Sequence, residues 1–234
     1  MSTLLLLRHG LTAMTGPVLA GRTPGLHLDE RGQAQAAAAA TRIAALPLAA
    51  VVTSPLERCT ETAALVREAQ RSAGRDPAWE LDERLVECGY GDWTGRAIKE
   101  LAKDPIWKIV QTQPSAARFP AGEALTEMSA RAVAAIRDWD ARLGPDAIWV
   151  ACSHGDVIKA VLADALGLHL DQFQRIVVDP CSVSVVRYTE TRPYVLRAND
   201  VGGELSAFAP PAKKRRRRAS SDATIGGGAG SGQV

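Results

Sequence analysis

Five polar residues of the sequence have side chains suited to chemistry on a phosphoryl group. They are Arg8, His9, Arg58, Glu87 and His154. Arginine guanidinium groups bind phosphoryl oxygens through paired hydrogen bonds and stay charged at any working pH. A neutral imidazole can attack phosphorus and form a covalent intermediate, and a carboxyl group can donate a proton to the leaving oxygen. If the fold brings them together, these residue types predict phosphoryl transfer with His9 as the nucleophile.

Apolar runs of strand length precede these positions. Residues 3–7, 49–53 and 147–152 are almost wholly apolar, which predicts strands buried on both faces of a sheet. A further extended segment is predicted at 79–85, shortly before Glu87. Open α/β sheets bind their ligands beyond the carboxyl ends of the strands. We therefore expect the two arginines, the two histidines and the glutamate to converge on one crevice.

Helices are predicted between the strands, an alternation that indicates an α/β layer fold with a mostly parallel sheet. The helical segments are 29–45, 55–70, 97–110, 124–143 and 155–166. Asp29 is suited to cap the first helix, and Pro55 stands in the first turn of the second. The helix that begins at Gly155 would direct free backbone N–H groups at the same anion. Two last strands, at 182–188 and 194–198, are predicted to form a hairpin.

The positive charge of the chain is concentrated near its C-terminus. The 234 residues carry a formal net charge of +2, but residues 204–234 contribute +4, which leaves −2 on residues 1–203. The main body therefore lacks the basic surface typical of folds that bind nucleic acid. A basic run at 213–218 precedes Gly- and Ser-rich sequence, and this composition predicts disorder. We thus predict one catalytic domain over 1–203 and a disordered tail over 204–234, and we expect removal of the chain after Pro210 to leave activity nearly unchanged.

The cysteines and histidines form no pattern typical of a zinc site or a disulfide framework. The cysteines are Cys59, Cys88, Cys152 and Cys181, and no two of them have C-x-x-C spacing. The apolar run at 4–7 is too short for the core of a signal peptide, and no stretch of the sequence approaches a membrane span. We therefore expect a soluble, cytoplasmic protein.

Four stretches of the sequence contain the five candidate residues. They are Leu6–Thr12 (LLRHGLT), Thr53–Ala63 (TSPLERCTETA), Glu87–Gly95 (ECGYGDWTG) and Ser153–Gly155 (SHG). In order and in spacing they resemble the signature segments of the histidine phosphatase superfamily, the phosphoglycerate mutase-like proteins. The resemblance extends from about residue 3 to residue 190 and implies a three-layer α/β/α fold with a mostly parallel sheet.

The resemblance also implies a role for each candidate residue. His9 would become a phosphohistidine and Glu87 would be the proton donor, whereas Glu83 stands too far before the Gly-rich loop to match the family spacing. The other catalytic residues would be Arg8, Arg58 and His154. The substrate would be bound by Arg8, Thr15, Gly21, Arg58, His154 and Gly155. The family uses neither a metal nor an organic cofactor, so the resemblance implies none for this chain.

Departures from the family pattern bear on the substrate. Leu11 replaces an acidic residue or glutamine, and Thr15 replaces an asparagine that the mutases and many phosphatases have. Pro120–Ala124 resembles the Pro-Gly-Gly-Glu-Ser segment of the phosphatase branch with two substitutions, which leaves the role of this segment undefined. The 67 positions between Glu87 and His154 form a shorter span than in phosphoglycerate mutases. The short span favours hydrolysis of a phosphomonoester, as in the histidine acid phosphatase type of phosphoric monoester hydrolase.

Three alternatives stay open. The first is a phosphomutase that moves a phosphoryl group within or between small molecules. The second is a non-catalytic phosphate-binding protein, which the presence of both nucleophile and acid disfavours. The third is attachment of the basic run 213–218 to nucleic acid or to a membrane, although short basic tails are more commonly only solvated. The sequence does not identify the substrate or show whether the protein forms a homo-oligomer. We expect the non-phosphate part of the substrate to contact segments 16–27 and 119–131.

Overall fold

A six-stranded sheet with the strand order β3-β2-β4-β1-β5-β6 forms the centre of the structure. The structure is a computed structural model that describes residues 1–202 together with Gly226 and Gly228. The strands are β1 Ser2–Arg8, β2 Ala50–Thr53, β3 Ala78–Leu81, β4 Ile148–Ser153, β5 Val183–Tyr188 and β6 Pro193–Asp200. The first four pair in parallel, and β5 and β6 pair antiparallel to their neighbours. Apart from the two glycines, the predicted tail at 204–234 lies outside the described residues.

Helices cover both faces of the sheet. They are α1 Glu30–Ile43, α2 Glu57–Ser72, α3 Ile98–Leu101, α4 Pro105–Thr112, α5 Leu125–Leu143 and α6 Gly155–Ala165. Short 3-10 helices span Glu83–Leu85, Gly91–Trp93, Pro114–Ala116 and Leu170–Arg175. Alternate residues of β1 point to opposite faces, so Leu5 and Leu7 pack with α1 and α2, whereas Leu4 and Leu6 pack with α5 and α6. The predicted three-layer α/β/α fold is confirmed.

Two predicted elements differ from the structure in their extent. The single helix expected at 97–110 is two helices, because the Asp104 carboxylate accepts a hydrogen bond from Ile106 N at 2.9 Å and Pro105 starts a new first turn. The extended segment expected at 79–85 ends at Leu81, where Asp82 caps a 3-10 helix instead. Among the described residues, no helix combines the length and apolar character needed to span a membrane.

Two glycines allow the loop after β1 to lie directly against α1. A Cβ atom at Gly32 would be 2.0 Å from the carbonyl oxygen of Leu11, and one at Gly10 would be 2.6 Å from the carbonyl oxygen of Gly32. Asp29 caps α1 and its backbone N–H donates to Leu11 O at 3.0 Å. The close approach fixes the path of the chain immediately after His9.

We predict that Gly32→Ala destabilises the protein although alanine is the better helix former. A glycine-to-alanine change inside a helix ordinarily stabilises by up to about 1 kcal/mol. Here the new methyl group would overlap the Leu11 carbonyl, and overpacking of this kind costs about 1–3 kcal/mol. Urea unfolding measures the difference, with Gln33→Ala at the neighbouring exposed position as control. A free energy of unfolding that rises in the Gly32 variant would contradict the close approach.

Candidate active site

The sheet topology brings the predicted residues to one edge. Arg8 ends β1 and is in register with Ser153, which ends the parallel neighbour β4. His9 and His154 follow these two residues, and their ring centroids are 5.2 Å apart. Arg58 lies in the first turn of α2, after β2, the other neighbour of β4. Three adjacent parallel strands therefore deliver four of the five candidate side chains to the same place.

Hydrogen bonds on both ring nitrogens orient His9. Its Nδ1 is 2.7 Å from the carbonyl oxygen of Gly10, so this nitrogen carries the proton and donates it. Its Nε2 accepts a hydrogen bond from Arg58 Nε at 3.3 Å. The partners thus assign the neutral tautomer with a lone pair on Nε2, which is the form of histidine that can attack phosphorus.

The surroundings of His9 keep its ring neutral. Burial and the positive charges of Arg58 and Arg8 lower the pKa of His9 well below its usual value of 6.5. The same three influences, with His9 as a further one, lower the pKa of His154 in the same way. At neutral pH both imidazoles are uncharged, so the positive charge of the site comes from its arginines.

Two buried guanidinium groups form a pocket suited to an anion. Arg8 Nη1 donates to Val178 O at 2.8 Å, and Arg58 Nη2 donates to Gly21 O at 2.6 Å. In the part of the chain that the structure describes, the buried Arg8 Nε and Arg58 Nη1 have no hydrogen-bond partner. A buried donor without a partner costs about 1–3 kcal/mol, and more when it is charged. An anion bound between the two side chains would remove that cost.

Backbone carbonyl groups from the C-terminal region contact the same pocket. The oxygen of Gly228 accepts from Arg8 Nη1 at 2.7 Å, and that of Gly226 accepts from Arg8 Nη2 at 3.3 Å. Both glycines line the cleft that contains His9. The guanidinium of Arg8 therefore already binds two oxygen acceptors on the side where a phosphoryl group would bind.

Glu87 lies in the cleft and has the properties of a proton donor. The residue is 4% exposed, and its Oε1 accepts a hydrogen bond from Cys88 N at 2.9 Å. Burial, together with the negative charge of Asp156, raises the pKa of Glu87 to about 7 in spite of the nearby arginines. The side chain of Glu87 is therefore protonated in a large fraction of the molecules near neutral pH.

A buried polar network behind Glu87 escaped sequence reasoning. The hydroxyl of Tyr90 donates to Asp156 Oδ2 at 2.8 Å, and Lys159 Nζ is 3.4 Å from the other carboxylate oxygen. Asp156 is fully buried at the second position of α6. The available signal was the presence of Asp156 and Lys159 in the mainly apolar first two turns of this helix, since buried charges need partners.

The cleft beyond the arginines is lined by uncharged groups. Its described lining residues, besides Arg8, His9, Arg58, Glu87 and the two C-terminal glycines, are Thr12, Thr15, Gly16, Val18, Leu19, Ala20, Gly21, Tyr90 and Ile98. Thr15 and Gly21, expected at the site from the sequence, are among them. Thr15 Oγ1 accepts a hydrogen bond from Thr12 N at 3.0 Å. Part of segment 16–27 lines the cleft as expected, whereas no residue of 119–131 is among the described lining residues. Ile98 was not expected, because only the fold brings it there.

Two expected substrate contacts lie behind the cleft wall instead of lining it. His154 is fully buried, with Nδ1 3.2 Å from Arg58 Nη2 and Nε2 2.8 Å from Ser54 Oγ. Gly155 follows it as the first residue of α6 and is also buried. Glu83, the glutamate rejected on spacing, is exposed and does not line the cleft. Within the described residues, no group of three or more His, Cys, Asp or Glu side chains is arranged to hold a metal ion.

Comparisons with known proteins show similarity in sequence and fold over most of the chain. Residues 4–201 match the family model described as histidine phosphatase superfamily (branch 1). Phosphoserine phosphatase 1 of Hydrogenobacter thermophilus is 28% identical over 205 residues, which cover 85% of this chain and 92% of that protein. The probable phosphoglycerate mutase GpmB of Cronobacter sakazakii is 28% identical over 212 residues, 88% of this chain and 95% of that protein. The structure of Bacillus stearothermophilus YhfR superposes with a TM-score of 0.75 and 28% identity over 86% of this chain and 98% of that one.

We predict that turnover of a phosphomonoester with a poor leaving group falls as the pH rises through about 7. Glu87 must be protonated to donate a proton, and its raised pKa places the loss of that proton near 7. The lowered pKa of His9 keeps its imidazole neutral to a pH well below 6.5, so titration of His9 leaves the acid side of the profile flat over that range. The measurement is kcat against pH at saturating substrate, because the substrate phosphate itself ionises at about 6.

Glu87→Gln is the control for this profile. The amide does not titrate, so the decline above neutral pH should disappear in the variant while a slower rate remains. A decline at the same pH in both proteins would assign it to another group and contradict the role of Glu87.

Proposed function

Since this chain belongs to the histidine phosphatase superfamily, we propose that it is a phosphatase that hydrolyses a phosphomonoester through a phosphohistidine on His9. The observation that carries the proposal is the position of the unprotonated His9 Nε2. It lies 3.3 Å from Arg58 Nε, beside two guanidinium groups that line the cleft and each have a buried nitrogen without a hydrogen-bond partner among the described residues. A nucleophilic nitrogen and donors for the phosphoryl oxygens are thereby available at the same point.

The reaction has two steps. First, Nε2 of His9 attacks phosphorus, the bond from phosphorus to the ester oxygen breaks, and Glu87 gives its proton to that oxygen. Second, Glu87, now a carboxylate, takes a proton from water as the water oxygen attacks the phosphohistidine and the N–P bond breaks. Arg8 and Arg58 stabilise the charge on the phosphoryl oxygens in both steps, and inorganic phosphate leaves. A pKa of about 7 suits Glu87 to both directions of proton transfer.

The other expected site residues have supporting roles in this proposal. His154 Nδ1 contacts Arg58 Nη2 at 3.2 Å, so His154 acts mainly by holding that guanidinium in place. Thr15 and Gly21 contact the substrate from the cleft wall, and Gly155 begins α6 behind that wall. The side chains supply every charge and proton that the two steps need, and we therefore propose a reaction without a metal or an organic cofactor. Four unpaired, buried cysteines favour the reducing cytoplasm as its location.

Hydrolysis is favoured over mutase activity by the uncharged cleft wall. The phosphatase and the probable mutase reported above are equally similar to this chain, at 28% identity each. A phosphoglycerate mutase must bind the carboxylate of its substrate in addition to the phosphoryl group. Among the described lining residues, the only permanent cations are Arg8 and Arg58, and both face the phosphoryl position.

We predict that His9→Ala reduces turnover by more than about 10³-fold, because no other group can form the covalent intermediate. The wild type and the variant are assayed on a panel of phosphorylated small molecules, and each reaction is scored for free phosphate and for isomerised product. His169→Ala, which removes an exposed histidine outside the cleft, should keep wild-type activity. Full activity in the His9 variant would contradict the mechanism. Isomerised product without free phosphate from the wild type would show that the protein is a mutase and not a phosphatase.

A further inference from the structure

We propose that Glu123, with Arg22 and Arg131, is a positioning residue that holds the loop of Glu87 in the geometry for proton donation. This inference rests on the proposed function of Glu87 as the acid. It concerns the segment Pro120–Ala124, to which the sequence assigned no defined role.

Glu123 binds the loop of Glu87 through its backbone and its side chain. Its backbone N–H donates to Gly89 O at 2.7 Å, and its Oε2 accepts from Gly89 N at 3.0 Å. A Cβ atom at Gly122 would be 2.3 Å from Gly89 O, and one at Gly91 would be 2.0 Å from Pro120 O. The two loops therefore fit together only because glycine occupies both positions.

Two arginines connect the Glu123 carboxylate to the carbonyl groups of the same loop. Arg131 donates from Nε to Glu123 Oε1 at 2.7 Å and from Nη2 to Glu87 O at 3.1 Å. Its Nη1 donates to the carbonyl oxygens of Arg84 and Val86 at 2.6 and 2.8 Å. Arg22 donates from Nε to Glu87 O at 2.8 Å and from Nη2 to Glu123 Oε2 at 2.9 Å.

The loop depends on these bonds because it has no regular secondary structure of its own. Residues 86–90 belong to neither a helix nor a strand. Burial acts to raise the pKa of Glu123, but hydrogen bonds from Arg131 and from Gly89 N outweigh it, so the pKa is lowered and the carboxylate stays charged. The side chains of Arg131 and Glu123 are 19% and 14% exposed, which limits screening of the pair by water. The backbone of Glu87 is thus fixed by charge-assisted hydrogen bonds, which are stronger than neutral ones.

Glu123→Gln tests the proposal through its dependence on the leaving group. The full-length variant should slow kcat about tenfold for an alkyl phosphate, whose leaving oxygen needs a proton, and less than about twofold for 4-nitrophenyl phosphate, which does not. Glu127→Gln is the matched control. Glu127 lies in the first turn of α5, four residues after Glu123, where it pairs with Arg118 and accepts a hydrogen bond from Ala124 N. These partners lie outside the loop of Glu87. The Glu127 variant should keep the wild-type ratio of the two rates.

Equal slowing of both substrates by Glu123→Gln, or no slowing, would overturn the positioning role. Glu87→Gln, measured alongside, separates this failure from that of the proposed function. If Glu87→Gln also slows both substrates equally, Glu87 is not the acid. If Glu87→Gln has the selective effect and Glu123→Gln lacks it, only the positioning role is wrong. Melting temperatures of all three variants show whether each is folded.

The C-terminal glycines carry a second, independent inference. The geometry points to Gly226 and Gly228 as competitors of the phosphoryl group, because their carbonyl oxygens accept from Arg8 Nη2 and Nη1 at 3.3 and 2.7 Å. Gly226 has a φ of +74°, which side chains rarely adopt, and a Cβ there would be 3.2 Å from Leu19 Cδ1. An anion that binds Arg8 in the same place must displace these oxygens. This inference differs from the sequence-based expectation that removal of the tail leaves activity nearly unchanged, since it predicts tighter binding of phosphate once the two glycines are removed.

The test is binding of inorganic phosphate by calorimetry. Removal of residues 226–234 should lower the Kd for phosphate about threefold or more. In the full chain phosphate can bind only the fraction of molecules in which the two glycines do not occupy Arg8, and this raises the apparent Kd. The control variant ends at Ala229 and keeps both glycines, so its Kd should equal that of the full chain. Equal Kd values in all three proteins would overturn the competition, whereas absence of phosphate binding in all of them would count against the proposed function itself.

Discussion

The burial of two arginine guanidinium groups side by side is the constraint on which the site depends. Arg8 and Arg58 are 2% and 1% exposed, and each cation loses its hydration there. Hydrogen bonds to the carbonyl oxygens of Val178 and Gly21 compensate part of that loss. Burial lowers the pKa of Arg8, and the negative charge of Glu87 acts in the opposite direction. The remaining unpartnered nitrogens would gain hydrogen bonds from a bound anion, and we propose that the phosphoryl group supplies them. The same two charges help to keep the imidazole of His9 neutral.

The fold meets this constraint with rigid elements on one side and a supported loop on the other. Arg8 and His9 continue a strand that is paired on both sides, and His9 N donates to Ser153 O at 3.0 Å. Glu87 has no such support from the sheet, because its segment follows β3 as irregular chain. Hydrogen bonds from Arg131 and Arg22 to the carbonyl oxygen of Glu87 take the place of the strand-to-strand hydrogen bonds that this segment lacks. The sheet therefore positions His9, the proposed nucleophile, and side chains from other segments position Glu87, the proposed acid.

The sequence predicts the layers and the five central residues because their signals are local. An apolar run that ends in Arg8 and His9 predicts a buried strand and its functional end, whereas the choice of Glu87 over Glu83 rested on the resemblance to the family. The break before α4 was missed, although Pro105 with a preceding aspartate is a local start signal. The role of Glu123 could not be predicted, because it depends on contacts with Gly89 and Arg22. These two residues precede Glu123 by 34 and 101 positions in the sequence. Contacts at such separations follow from the tertiary structure alone.

The central claim is that His9 carries the phosphoryl group between the two steps. Its most direct test is to mix the enzyme with a phosphomonoester labelled with radioactive phosphorus, quench within milliseconds in alkali, in which phosphohistidine is stable, and map the labelled peptide. The account predicts an acid-labile label on the peptide that contains His9. A label on another residue, or turnover with no labelled protein at any quench time, would contradict it.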